Sequence, residues 1–280
     1  MQNGKSDITP TKEELRIASL PEFERKMRES AAVVSSIIGL VAGRIKPGVK
    51  LTDLELYAFS LIKEFKAESY NLGYKPAWAA TPFPSVLSTS VNNCIAHGIP
   101  TEYELKEGDL VNLDLGIKFN GVCGDCAMTV PVGQIENKHE RLLRFANRAC
   151  YMGIQQIKAG VSVADIGRAI ETYAMQMGYV TNQVFSGHDI GEEMHGTGLV
   201  IPNFYSLDAR YIKHFGLKKL NAGQVVCIEP MLTFKDKRGI MASNGWSLYT
   251  GDKKYSAMFE HMILVKEDGY EVLTDHFIKA

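Results

Sequence analysis

The dipeptide Asn120-Gly121 limits the folds open to this chain more strongly than any other short feature. It separates two runs, residues 110–119 and 122–130, in which apolar residues alternate with other residues. Alternation is typical of β-strands, and an Asn-Gly pair between two such runs favours a type I′ turn. The sequence therefore predicts a two-stranded antiparallel hairpin over residues 110–130.

The turn also predicts the register of this hairpin, and with it the positions of two aspartates. When the Asn-Gly pair lies at the tip, Asp114 is opposite Ala127 and Asp125 is opposite Gly116. Both carboxylates then point to the same face as diagonal neighbours. A single strand aspartate more often lies at a solvated edge. Here apolar neighbours indicate burial on both faces, and two like charges in a buried place need a cation or a shared proton.

Two later apolar strands each contain a glutamate. Residues 225–232 include Glu229, and residues 257–265 include Glu260. Burying unpaired carboxylates is costly, so both indicate a positive charge between the strands. A lone histidine is more often a structural residue, but His188 lies near two glycines, in a predicted turn where backbone can approach closely, and is a candidate nitrogen ligand. Four carboxylates and one imidazole suit manganese, iron(II), cobalt or catalytic zinc, and five ligands fit two ions better than one.

Composition and charge exclude several function classes. Lysine and arginine (31) nearly balance aspartate and glutamate (32), so no surface for nucleic acid is expected. No apolar stretch is long enough to span a bilayer, and the first twenty residues do not resemble a secretion signal. An odd number of cysteines favours free thiols in the cytoplasm. Cys123 and Cys126 have C-x-x-C spacing without partner ligands, so we predict buried thiols rather than a zinc or redox site.

The order of predicted elements is helices, strands, helices, strands. The predicted helices cover about 21–45, 52–68, 137–158 and 163–178. Residues 46–54 and 158–166 share four identities in nine positions, and each stretch joins two helices. That stretch alone fits repetition and shared turn chemistry equally well, and the matching element order favours repetition. We therefore predict an α+β fold in which a unit of antiparallel strands and helices is duplicated about a pseudo-two-fold axis.

The ends of the chain and of the helices carry further predictions. Residues 1–10 are expected to form a flexible tail, and residues 11–280 a single catalytic domain, because no linker separates the halves. Thr11 with Glu14 predicts a capping box for a short first helix, and Thr52 with Glu55 predicts a second capping box.

Several short motifs occur in the order found in one enzyme family. They are Ala96-His97-Gly98-Ile99-Pro100, Gly108-Asp109-Leu110-Val111-Asn112-Leu113-Asp114, Gly124-Asp125, Gly187-His188-Asp189-Ile190-Gly191, Ile228-Glu229-Pro230-Met231 and Glu260-His261. Each motif is weak alone, but together they span most of the chain from about residue 20 onward. In them the sequence resembles the type I methionine aminopeptidases, within the pita-bread metallopeptidases. The resemblance implies a pita-bread fold with helices outside and a central dinuclear metal site.

The resemblance also implies roles for individual residues. One ion would be held by Asp125, His188, Glu229 and Glu260, and a second by Asp114, Asp125 and Glu260. Glu229 would shuttle the proton during hydrolysis of the first peptide bond. The two catalytic histidines implied are His97, which would position the substrate near the scissile nitrogen, and His195, which would stabilise the developing oxyanion.

The implied activity is removal of the amino-terminal methionine from nascent proteins and peptides. The implied partners are the amino termini of nascent polypeptides and the ribosome, for a cytoplasmic monomer that contacts neither membrane nor nucleic acid. A prolidase or Xaa-Pro aminopeptidase is an alternative, although those relatives generally carry an additional amino-terminal domain. A non-catalytic pita-bread binding protein is a second alternative, against which the complete ligand set argues.

The expected substrate pocket departs from the family pattern. Where the family uses tyrosine and cysteine, the chain has Trp78, Thr81, Phe83 and Ser88. Trp246 keeps an aromatic wall, and Met194 stands where the family has another aromatic residue. Asp189 replaces the glycine after the metal-binding histidine, and residues 196–198, Gly-Thr-Gly, replace acidic residues after His195. Contacts around the metal ligands are therefore expected to differ, while aromatic faces still favour a methionine sulfur.

Overall fold

The computed structural model describes residues 21–274. Its longer helices are α1 (Glu22–Ala42), α2 (Leu51–Glu64), α3 (Asn137–Ile154) and α4 (Val163–Gln176). A short helix, α5 (Ala209–Tyr211), continues into the π-helical turn Ile212–Gly216. Within the described range, no helix is long and apolar enough to cross a membrane. The predicted tail over residues 1–10 and the predicted cap at Thr11 and Glu14 lie outside the described residues.

The strands of the first half are β1 (Glu68–Ser69), β2 (Ser88–Val91), β3 (Cys94–Ala96), β4 (Leu110–Phe119) and β5 (Val122–Pro131). The strands of the second half are β6 (Val180–Thr181), β7 (Gly187–Ile190), β8 (Val200–Ile201), β9 (Val225–Ile228), β10 (Met231–Thr233), β11 (Ile240–Met241), β12 (Leu248–Tyr249), β13 (Ser256–Lys266) and β14 (Gly269–Val272). The main sheet has the order β1-β4-β5-β13-β9-β7-β8, and β11, β12 and β3 form a smaller sheet. Every strand pair in these sheets is antiparallel.

The predicted hairpin forms with the predicted register. Strands β4 and β5 pair so that Asp114 is opposite Ala127 and Gly116 is opposite Asp125. At the tip, Asn120 and Gly121 both have positive φ, at 51° and 83°. Positive φ at both central residues is what a type I′ turn requires, so the local sequence determines how these strands meet.

The helix-helix connections in the two halves make matching hydrogen bonds. Gly48 and Gly160 both have positive φ, and their N–H groups donate to the carbonyls of Leu105 and Leu220 at 2.7 and 2.8 Å. The leucine N–H groups donate back, to Val49 and Val161, and a further matched pair joins Leu51 to Tyr103 and Val163 to Lys218. Shared turn chemistry alone would not reproduce these long-range partners, so the repeated sequence reflects a duplicated structural unit.

The helices cover the sheet in the arrangement that the duplication predicts. Helices α1 and α2 pack together, with α1 against β4 and β5, while α3 and α4 pack together with α3 against β13. Helix α1 is amphipathic and buries Met27, Val34 and Ile38. One buried apolar cluster runs through both halves of the described chain. The predicted α+β class is confirmed.

The capping box predicted at the start of α2 is wrong. The hydroxyl of Thr52 donates to Glu102 at 2.8 Å instead of capping the helix. The carboxylate of Glu55 accepts the N–H groups of Val86 and Leu87 at 2.8 and 2.9 Å. The carboxylate of Glu55 thus binds N–H groups outside the helix and not the N–H groups at the start of α2. These bonds connect α2 to the chain segment just before β2.

Candidate metal centre and substrate cavity

Three adjacent strands bring three carboxylates to one face of the sheet. Ala127 of β5 lies opposite Asp114 of β4 on one side and opposite Glu260 of β13 on the other. Asp125 lies two residues before Ala127, and side chains two apart on a strand share a face. Asp114, Asp125 and Glu260 therefore converge because of strand register, although they are far apart in sequence.

Strands β9 and β7 bring the remaining two predicted ligands to the same place. Strand β9 ends with Ile228 opposite His261, so Glu229 follows at the position facing Glu260. The Nε2 atom of His188 lies 3.6 Å from Glu229 Oε1 and 3.7 Å from Asp125 Oδ2. All five residues predicted to bind metal thus line a single cavity.

His188 lies in strand β7 and not in the predicted turn, and the backbone of this strand sets its orientation. Its Nδ1 lies 3.0 Å from the carbonyl oxygen of Asp189, and because a carbonyl can only accept, Nδ1 carries the proton. Nε2 is then left with a lone pair directed at the carboxylates. The preceding residue is Gly187, where a Cβ atom would lie 2.2 Å from the carbonyl oxygen of Cys227, so only glycine allows β7 to approach β9 this closely.

Burial and mutual repulsion make these carboxylates difficult to ionise together. Burial raises the pKa of Asp114 to about 7. Burial, followed by the charges of neighbouring carboxylates, raises the pKa of Asp125, Glu229 and Glu260 well above the usual range. Burial lowers the pKa of His188 to about 4, so its ring is neutral near pH 7.

The donor set fits divalent cations. Four carboxylates and one neutral imidazole meet in a cavity whose lining residues include no lysine or arginine. The Oε1 atom of Glu260 is buried and accepts no hydrogen bond from the described residues. A bound cation would supply the missing positive charge and would offset the cost of ionising the cluster.

Cys227 is a member of this cluster that the sequence reasoning missed. Its Sγ lies with donor atoms of Asp125, His188 and Glu260 in a group whose members are all within 4.8 Å of one another. Burial raises the pKa of the Cys227 thiol well above its usual value, which favours a neutral thiol over a thiolate ligand. The available signal was its place two residues before Glu229, on the same face of β9.

The C-x-x-C pair has no part in this centre. Cys123 and Cys126 are both buried and free. Their thiols make contacts to different carbonyls, those of Glu192 at 3.5 Å and Glu260 at 3.7 Å. Two residues three apart on a strand point to opposite faces, and the prediction of two buried thiols is confirmed.

The cavity that holds the carboxylates extends into an aromatic pocket, with a total volume of about 160 Å³. Beyond the five predicted ligands, its lining consists of Tyr70, Asn71, Tyr74, Trp78, Phe83, Ser88, His97, Phe185, Ser186, Met194, His195 and Trp246. Of the residues predicted to bind substrate, only Thr81 is not part of the lining. Its carbonyl instead accepts the indole N–H of Trp246 at 3.1 Å, which fixes the orientation of that wall.

His97 lies among aromatic side chains at one side of the cavity. Its ring centroid is 4.3 Å from that of Phe185 and 6.1 Å from that of Trp78, which stacks nearly parallel to it. Burial lowers the pKa of His97 to about 4. The backbone φ of His97 is 55°, an uncommon value outside glycine.

His195 is an exposed residue of the cavity lining and lies beside His188. Its ring centroid is 4.6 Å from that of His188, and its Nδ1 lies 3.0 Å from the hydroxyl of Tyr74. Desolvation lowers the pKa of His195, so the neutral ring predominates near pH 7. When the Tyr74 hydroxyl donates to Nδ1, the proton of the neutral ring is on Nε2, which becomes a donor.

Several of the lining residues were not anticipated from the sequence. Phe185 and Ser186 directly precede Gly187, so closeness in sequence to His188 could have identified them. Tyr70, Asn71 and Tyr74 follow β1, which pairs with β4, and no short motif marks them. Their position depends on long-range strand pairing.

The comparisons with known proteins agree with this geometry. The model of metallopeptidase family M24 matches residues 25–267. The methionine aminopeptidase of Aquifex aeolicus is 33% identical, over 93% of this chain and 99% of that protein. The solved methionine aminopeptidase of Rickettsia prowazekii has a TM-score of 0.81 and 31% identity, covering 89% of this chain and 95% of that one.

A more distant structure, the prolidase of Pyrococcus furiosus, has a TM-score of 0.69 and 19% identity. The match covers 93% of this chain but only 66% of the prolidase, and at this identity the match shows the fold alone. The shared architecture confirms the predicted pita-bread fold. The family match over residues 25–267 and the close relatives place the chain in metallopeptidase family M24.

Proposed function

We propose that this chain is an aminopeptidase that removes methionine from the amino termini of peptides and nascent proteins. The observation that carries the proposal is the continuity of one cavity, which joins the carboxylate and histidine cluster to an aromatic pocket. A catalytic centre next to a pocket for a single side chain suits an enzyme that cleaves after one residue. The relatives named methionine aminopeptidase, which match nearly the full chain, support the same substrate.

The cofactors proposed are two divalent ions, with cobalt, manganese, iron(II) and zinc as candidates. The residues that would hold them are Asp114, Asp125, His188, Glu229 and Glu260. Bound ions would supply Lewis-acid polarisation of the scissile carbonyl and stabilise the charge that develops on its oxygen.

The protein side chains would handle the proton and the oxyanion. A carboxylate oxygen of Glu229 accepts a proton from the attacking water and returns it to the leaving nitrogen. His195 donates from Nε2 to the carbonyl oxygen as that oxygen becomes negative. His97, which also lines the cavity, accepts or donates near the scissile nitrogen and aligns the peptide bond.

The aromatic pocket would bind the methionine side chain. Trp246 and Phe83 are buried and meet edge to face, with ring centroids 5.0 Å apart. Met194 is buried and lines the same cavity, and Trp78 is exposed, with its centroid 5.0 Å from that of Trp246. Contact between a methionine sulfur and aromatic rings contributes about 0.3–1.5 kcal/mol beyond apolar burial, which favours this side chain over leucine.

The variant Glu229→Gln tests the function and the mechanism together. It keeps the size of the side chain but removes its capacity to take up a proton, so we expect release of methionine from a Met-Ala-Ser peptide to fall about 10²-fold or more. The matched control is Glu140→Gln, since Glu140 is exposed on α3 and lies outside the cavity. Metal content of both proteins is measured to separate loss of chemistry from loss of metal.

Three outcomes would contradict the proposal. Full activity of Glu229→Gln would exclude the proton shuttle. Preferential cleavage of Xaa-Pro peptides would favour a prolidase-like enzyme, and a metal-loaded parent that cleaves no peptide would favour a non-catalytic binding protein.

Other properties remain predictions that this proposal includes. Residues 11–280 would act as one catalytic domain, a monomer in the cytoplasm that meets nascent chains at the ribosome. Sedimentation of the purified chain with and without ribosomes tests its monomeric state and its ribosome binding directly.

A further inference from the structure

The loop that carries His195 is held by a side chain that the proposed reaction does not use. Residues 191–199 connect β7 to β8, and Asp189 lies on β7 just before this loop. Its Oδ2 accepts the N–H of Thr197 at 2.7 Å and the hydroxyl of Thr197 at 2.6 Å. Its Oδ1 accepts the N–H of Leu199 at 2.9 Å. One carboxylate thus fixes the loop at two residues.

The glycines on both sides of Thr197 make this arrangement possible. A Cβ atom at Gly196 would lie 2.6 Å from Oδ2 of Asp189, so a larger residue would push the carboxylate away. Gly196 and Gly198 have φ of 38° and 82°, values that glycine adopts easily. The N–H of Gly198 donates to the carbonyl of His195 at 2.8 Å, which closes the turn directly behind the histidine.

The bonds to Asp189 are strong ones in a protected place. Asp189 is 5% exposed, and hydrogen bonds to a carboxylate are roughly twice as strong as those between neutral groups. The two oxygens of the carboxylate accept three hydrogen bonds, and all three donors belong to the loop. Displacing the loop would therefore leave a buried charge without hydrogen-bond partners. The loop therefore has a well-defined position despite its exposed residues.

The side chain and the backbone of residue 189 serve different histidines. Its carbonyl accepts from Nδ1 of His188, whereas its carboxylate holds the loop of His195. We call these three hydrogen bonds from Thr197 and Leu199 to the Asp189 carboxylate the clamp. A change to the side chain of Thr197 removes one of them and leaves the contact of His188 with the Asp189 carbonyl in place.

We propose that Asp189 and Thr197 are positioning residues that hold His195 in its reactive place beside His188, an inference that rests on the proposed role of His195. This pair combines the two departures from the family pattern noted in the sequence, the aspartate after His188 and the glycine-threonine-glycine run after His195. The two departures therefore act together, because the carboxylate of Asp189 binds Thr197 within that run.

The decisive variant is Thr197→Val, which keeps the shape and the N–H but removes the hydroxyl. A misplacement of His195 by about 1 Å should lower kcat roughly 10- to 100-fold and change KM less than about two-fold. Thr197→Ser restores the hydroxyl and should recover most of kcat. Thr172→Val is the matched control, because Thr172 is exposed on α4 away from the cavity.

A double-mutant cycle with His195→Ala separates positioning from general stability. If Thr197 acts through His195, Thr197→Val should cost less than about two-fold in the His195→Ala background. An equal loss in both backgrounds, or unchanged kcat in Thr197→Val, would overturn the proposal. Metal content must stay equal among these proteins, and a parallel loss of metal in Thr197→Val would assign the effect to His188 and also overturn it.

A readout without turnover keeps this test independent of the proposed activity. In zinc-loaded protein, the ring ¹⁵N resonances of His195 report its bond to Tyr74, and those of His188 serve as an internal reference. Thr197→Val and Asp189→Asn should both shift or broaden the His195 signals and leave the His188 Nδ1 signal in place. If the metal-loaded parent cleaves no peptide, the proposed function is refuted but the positioning proposal is not. The positioning proposal is refuted if the His195 signals are unchanged in both variants.

Discussion

The variant Gly187→Ala tests how the closeness of two strands controls the metal centre. Gly187 precedes His188 on β7, and a Cβ atom there would lie 2.2 Å from the carbonyl oxygen of Cys227 on β9. This obstacle is backbone, so it cannot rotate aside as a flexible side chain would. The backbone φ of Gly187 is not positive, so the effect of alanine is steric and not conformational.

The size of the effect follows from that distance. An ordinary contact begins at 3.4 Å, so β7 must move away from β9 by about 1.2 Å. Overpacking of this kind typically costs about 1–3 kcal/mol, which for a chain of this size lowers Tm by several degrees. The same movement displaces His188, whose Nε2 lies 3.6 Å from Glu229, and a misplacement of about 1 Å commonly costs about 10²-fold in rate.

The assay compares Gly187→Ala with Gly269→Ala. Gly269 lies in β14 without positive φ, and a Cβ atom added there would meet no other atom within 4 Å, so alanine should be neutral or slightly stabilising. Thermal unfolding, metal content and kcat/KM on Met-Ala-Ser are measured for both variants. If Gly187→Ala leaves Tm unchanged and keeps kcat/KM within two-fold of the parent value, the close approach of β7 and β9 does not determine the position of His188.

Three other perturbations give separate expectations. Trp246→Leu removes a pocket wall and leaves the carbonyl of Thr81 without its donor, so KM for Met-Ala-Ser should rise about ten-fold or more while kcat changes less, as steady-state kinetics would show. Removal of bound metal with a chelator should abolish activity and lower Tm, since an ion at 100 times its Kd contributes about 2.7 kcal/mol; unchanged Tm would argue against a buried metal site. Gly121→Ala places a side chain at φ 83°, so the free energy of unfolding in urea should fall by about 1 kcal/mol with kcat of the folded protein unchanged.

The parts of the site that the sequence predicts are those set by local rules. The Asn-Gly turn determines the register of β4 and β5, and therefore the shared face of Asp114 and Asp125. Strand alternation and the cost of burying carboxylates indicate that Glu229 and Glu260 have a common counter-charge. Neither step requires knowledge of which strands are neighbours, and for that reason both follow from the sequence alone.

The parts that the sequence does not predict depend on partners far along the chain. Glu55 has the spacing of a capping residue, yet it binds backbone N–H groups more than thirty positions away. Tyr74 meets His195 across 121 positions, and Cys227 reaches the cluster because β9 lies between β7 and β13. Such contacts follow from the order of strands in the sheet, which no local pattern specifies.

The duplicated unit explains why carboxylates from separate halves converge. Asp109 and Gln224 occupy equivalent places, since their carbonyls accept from Val132 and Val265 in the same way. Each half carries a carboxylate five residues further on, Asp114 in one and Glu229 in the other.

Because the sheet joins β5 to β13, these equivalent positions meet at the seam between the halves. The asymmetry between the halves then determines function. The second half supplies the imidazole of His188 and the clamped loop with His195, whereas the first half supplies most of the aromatic wall and His97. The symmetric scaffold thus brings together the carboxylates that would bind metal. The histidines and aromatic residues, which differ between its two halves, add what is needed to bind the amino-terminal end of a peptide.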